Sequence, residues 1–65
     1  MDKDKKIQLC IEFGINCMQS GLSVRETLLE IYDKHKDLDH NDNLTITTTL
    51  AAYELLTDMG YKITK

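Results

Sequence analysis

An all-α fold is predicted by three features of this 65-residue chain. It has no proline, its three glycines at 14, 21 and 60 leave long uninterrupted segments, and within those segments apolar residues recur three and four positions apart. The expected architecture is a three-helix bundle, or a helical hairpin plus one helix, with helices at about 4–20, 23–37 and 44–59 in a single domain spanning 1–65. A domain this small buries only about 60% of the surface its unfolded chain exposes. Small scaffolds compensate with disulfides, a structural metal or oligomerisation, and here homodimerisation is the expected completion.

Helix 1 is expected to end at Ser20, because Gly21 suits the left-handed position that follows a helix. Cys10 and Cys17 lie on it seven residues apart, a backbone separation of roughly 10 Å at 1.5 Å per residue. That exceeds the ~7 Å limit for a disulfide and keeps both sulfurs off one zinc. They read as reduced cysteines used as small core hydrophobes.

Helix 2 opens on Ser23-Val24-Arg25-Glu26, a capping box in which hydroxyl and carboxylate each satisfy an orphan backbone N–H. Its apolar stripe is Val24, Leu28, Ile31, Tyr32 and His35, with Leu38 closing it; Leu29 stands apart among Arg25, Asp33 and Lys36. Residues 37–43 read as a polar turn of residues that cap or compete with helix. Helix 3 follows from Leu44 or Thr45 to Met59, stopped by Gly60. Its opening run, Thr45-Ile46-Thr47-Thr48-Thr49, is β-branched and would equally suit a short strand.

Two of the three helices are apolar over more than one face. In helix 1 the residues from Leu9 round to Ile15, including Phe13 and Cys17, sweep roughly 240°. In helix 3 Leu44, Ile46, Ala51, Ala52, Tyr53, Leu55, Leu56 and Met59 cover roughly 220°, with Leu50 apart from them beside Glu54, Thr47 and Thr57. A helix in a small bundle shows its core a stripe a little over 100° wide, and only one helix can be central. The excess predicts self-association through Leu9, Phe13, Ile15, Cys17, Ile46, Tyr53 and Leu56. Leu29 and Leu50, each isolated on a polar face, are the expected contacts for a different partner.

Three chemistries compete with that reading. Residues 39–47 resemble the calcium loop of EF-hand proteins: Asp39, Asn41 and Asn43 stand at its first, third and fifth positions, Thr45 at its seventh and Ile46 at its apolar eighth. The resemblance implies a calcium-binding helix-loop-helix, but Leu44 replaces the turn glycine and Leu50 the bidentate glutamate. Thr45 to Leu56, followed by Gly60-Tyr61-Lys62-Ile63, is similar to the recognition helix and wing entry of winged-helix repressors. That implies DNA contact, yet no lysine or arginine occurs between Lys36 and Lys62. For catalysis, His35 and His40 are the only histidines, and no nucleophile, base and orienter assemble around either.

No apolar run approaches the ~18 residues of a membrane span, and the charged start Met1-Asp2-Lys3-Asp4-Lys5-Lys6 leads into an amphipathic segment. A cytoplasmic protein with no cofactor, no metal and no membrane contact is expected. A formal charge of −3 makes nucleic acid a poor partner. The expected function is a non-enzymatic regulator or inhibitor that pairs with itself and occludes a larger host or cognate protein. In size and acidity the chain is similar to small bacterial and phage regulators, an analogy of class.

Overall fold

Ser23 and Asp39 set where two of the helices begin. The computed structural model describes residues 2–61, and among them runs α1 (Lys3–Gln19), α2 (Val24–Lys34) and α3 (His40–Asp58), with no strand. At the start of α2, Ser23 Oγ accepts from the Glu26 backbone N–H at 3.1 Å, and the Ser23 N–H donates back to the Glu26 carboxylate at 3.2 Å. At the start of α3, Asp39 and Asp42 make the same reciprocal pair, at 2.9 and 3.3 Å. Asp39 replaces the usual serine or threonine, and Asp42 the usual glutamate.

That second box corrects the expected start of helix 3. The stretch read as a polar turn is the helix's first turn, so the helix begins four residues earlier than the apolar pattern suggests. The residues that the EF-hand resemblance would make a calcium loop, 40–47, are helical instead. The threonine run is helical too. Thr45 and Thr49 donate their hydroxyls to the carbonyls four residues back, at 3.0 and 2.8 Å, which gives a β-branched residue a local partner inside a helix.

Helix α2 ends three residues earlier than expected. His35 leaves helical geometry at φ −127°, ψ 67°, and the chain after it is drawn to the N-terminal end of α1. There Lys6 pairs with Asp37, and Lys3 lies 3.0 Å from Asp39 and 3.3 Å from Asp42. Helices α1 and α3 both close in the full Schellman pattern. Gly21 (φ 107°) and Gly60 (φ 94°) take the left-handed position, and Leu22 and Tyr61 donate to Cys17 and Leu56.

The buried core is Cys10, Ile31, Ile46 and Leu50, with Ile7, Ile11, Phe13, Ile15, Met18, Leu28, Tyr32 and Leu38 packed around it. Cys10 and Gly14 supply α1's inner edge, Ile31 that of α2, and Ile46, Leu50 and Tyr53 that of α3. A Cβ on Gly14 would lie 2.6 Å from Leu50 Cδ1, so the missing side chain is the space Leu50 occupies. Helices α2 and α3 are tied by a 2.6 Å hydrogen bond between the Tyr32 and Thr47 hydroxyls. Both cysteines are free thiols, as their spacing requires.

Candidate interaction surface

Helix α3 turns its inner face by about a quarter turn from the middle of its apolar arc. The core takes Ile46, Leu50 and Tyr53, at one edge of that arc or beyond it. The arc's other edge, Leu44, Ala51, Leu55 and Met59, points the opposite way. Leu44 is 56% exposed, Leu55 62% and Met59 63%, and Thr48, Ala51, Ala52 and Leu56 complete an open apolar strip.

Two expected contact residues are corrected by this rotation. Leu50, expected on a partner surface, is fully buried, because it fills the notch that Gly14 leaves in α1. Ile46, expected on the self-association surface, is also fully buried, at the centre of the three helices. Tyr53 is nearly so. Phe13 and Ile15 are half-buried and packed against the core, with the Lys34 ammonium 4.6 Å from the centre of the Phe13 ring. Cys17 is half-buried on the same helix. Leu9 and Leu56 remain exposed on α1 and α3, and Leu29 stands alone on α2.

Leu44, Leu55 and Met59 belong to the wide arc but not to the expected contact set. The signal was present in their spacing: 44, 48, 51 and 55 follow at intervals of four, three and four, the repeat of a helix-pairing seam. A buried leucine or methionine side chain is worth about 1.5–3 kcal/mol at roughly 25 cal/mol per Å², so each carries on the order of 100 Å². Scaled by exposure and joined by the alanines and Thr48, the strip offers roughly 350 Å² of apolar surface. That is the size at which the largest patch on a monomer is often functional.

The charged residues sit away from the strip's centre. Helix α3 has no lysine or arginine, and Glu54 and Asp58 flank its C-terminal part. At the other end the Asp42 backbone N–H and the Lys3 ammonium hold the Asp39 carboxyl below its ordinary pKa, and the Asp39 and Asp42 carboxylates raise Lys3. Lys6 likewise lowers Asp37. Burial pushes the Cys10 thiol up, which suppresses the reactive thiolate.

An open cleft of about 380 Å³ lies where α1 and α3 end, floored by Met18, Leu22 and Tyr53 and edged by Glu54 and Asp58. Among the described residues no three His, Cys, Asp or Glu side chains converge as metal ligands, and no helix is long and apolar enough to cross a membrane. His35 is half-buried at the end of α2, and His40 is exposed in the first turn of α3. Of the wing entry suggested by the repressor resemblance, Lys62 and Ile63 lie outside the described residues. No family model, no curated protein and no solved structure matches the chain.

Proposed function

We propose that this protein is a non-enzymatic interaction module, a small cytoplasmic regulator that docks the outer face of α3 on a larger protein and occludes the surface it covers. The observation that carries this reading is the strip of Leu44, Ala51, Leu55 and Met59, which lies opposite the core and has no covering element among the described residues. Folding gains nothing from three large apolar side chains left in water, whereas docking them is favourable by the same transfer term that builds the core. Leu29, on the separate face of α2, is a secondary contact. Pairing of the chain with itself belongs to the same reading, since either occupant removes the same surface from water.

The winged-helix alternative has less behind it. Duplex binding is driven by counterion release from phosphates, and the residues of α3 that would enter a groove are leucine, alanine, threonine and methionine. The decisive experiment is a pull-down from lysate with the native chain and with Leu55→Glu and Leu29→Asp. The native chain should retain one dominant protein, Leu55→Glu should release it with circular dichroism unchanged, and Leu29→Asp should weaken retention less. Equal retention by Leu55→Glu would remove α3 as the docking face.

A further inference from the structure

The geometry points to a second copy of this chain as what covers the outer face of α3, the two helices pairing antiparallel about a two-fold axis beside Thr48 and Ala51. The inference rests on the proposal that this face is an interaction surface, and it names the occupant.

The seam is self-complementary under reversal. Leu44, Thr48, Ala51 and Leu55 stand at a/d spacing, with the two small residues in the middle and a leucine at each end. Reversing one copy sets its Leu44 on the other's Leu55 and sets Thr48 against Ala51. The small central pair lets the helix axes approach to about 8 Å, the close end of helix packing.

Charge selects the antiparallel arrangement. Glu54 and Asp58 lie by the C-terminal end of α3, whose last turn carries no basic residue and which is the negative end of the helix dipole. A parallel pair would gather four carboxylates and two negative dipole ends at one pole. An antiparallel pair sets each acidic end toward the other copy's N-terminal end, where the dipole is positive and Lys3 already neutralises part of Asp39 and Asp42.

The area is sufficient. Specific interfaces are about 56–65% apolar, so a strip of roughly 350 Å² corresponds to about 600 Å² per copy, near one eighth of the chain's 4708 Å² surface. The pair would bury about 1,200 Å², at the lower bound of stable interfaces. A dimer of that size exchanges readily, and the same face stays open to displacement by a larger protein.

The test uses the full chain in a Cys17→Ser background, with Leu44→Cys and Leu55→Cys variants oxidised mildly, alone and mixed. Like positions lie roughly 16 Å apart along the antiparallel pair. Each variant alone should therefore give little disulfide-linked dimer, whereas the mixture and Ala51→Cys alone should link efficiently. Light scattering over a concentration series should show monomer passing to dimer in the micromolar range, and Leu55→Glu should remain monomeric with full helicity. Efficient linking by Leu44→Cys alone overturns the antiparallel geometry; dimers that persist in Leu55→Glu overturn the surface. A native chain that is monomeric throughout overturns self-pairing, and if it still captures a larger protein through Leu55 the docking reading survives without it.

Discussion

Helices α1 and α3 carry apolar arcs of similar width, yet one is absorbed by the fold and the other is left half outside it. Each of the two lies against both other helices, but α1 turns its arc toward them. Cys10 and Gly14 are buried, and Ile7, Ile11, Phe13, Ile15 and Met18 are spread over two packed flanks. Helix α3 has the same width but keeps the middle of its arc in solvent. Both helices have the same two neighbours, so the difference teaches that the direction in which a helix turns its arc, and not the number of its neighbours, decides how much of it stays in solvent.

The sharpest test of that comparison sets the two faces of α3 against each other. Leu50→Ala should cost about 2–5 kcal/mol, the range for emptying a packed leucine site, a large share of the ~3–10 kcal/mol expected for a domain of this length. Leu55→Ala, five residues further on and on the opposite face, should stay within about 0.5 kcal/mol at concentrations where the chain is monomeric. Urea denaturation of both variants checks the pair, and equal losses would mean that the strip is covered within one copy.

Gly14→Ala probes the contact between the two helices. Its new methyl would enter the space of the Leu50 side chain, an overpacking cost of about 1–3 kcal/mol set against roughly 1 kcal/mol of gained helix propensity. A net loss of up to about 2 kcal/mol is expected in thermal melts; a gain would show that α1 and α3 can part without penalty.

Thr27→Val acts in the opposite direction. Thr27 is fully buried on α2, and its hydroxyl has no hydrogen-bond partner among the described residues. Replacing it by the isosteric valine should stabilise the fold by about 1 kcal/mol, since a buried unsatisfied hydroxyl costs on that order. A destabilised variant would reveal a water or partner at that oxygen.

The smallest effect distinguishes the helix starts. Helix α1 has no side-chain cap at Asp2, whereas α3 has a capping box whose Asp39 titrates below its ordinary value. A carboxyl with a depressed folded-state pKa stabilises fully above the unfolded value of about 3.9, and that contribution is lost as pH falls through the folded value. Melting temperature should therefore drop on acidification below about pH 4, and Asp39→Asn should show a shallower drop. Asp37, lowered by Lys6, contributes in the same window. An identical acid profile in Asp39→Asn would remove Asp39 from the account.

Much of the helix layout is legible in local chemistry. Gly21, Gly60 and the Ser23/Glu26 box mark termini because backbone geometry and orphan N–H groups are satisfied within a few residues. The start of α3 was less legible, since two aspartates three apart read equally as a turn and as a reciprocal cap. The orientation of α3 could not be read from its own residues. It depends on Gly14, whose vacancy gives Leu50 a seat and draws the helix round toward Ile46 and Tyr53, a relation between positions 36 residues apart. The expected contact set followed the arc's composition, so it includes residues the core claims, Ile46 and Leu50, and omits Leu44 and Met59.

The two thiols of α1 form a built-in pair of clocks. Cys10 is 1% exposed with its thiol held protonated by burial, so a thiol reagent reaches it only when the helices separate. Cys17 is partly open on the same helix and reacts through smaller excursions. The two alkylation rates, followed together in one sample, would separate local fraying of α1 from opening of the whole molecule, with no residue added as a probe.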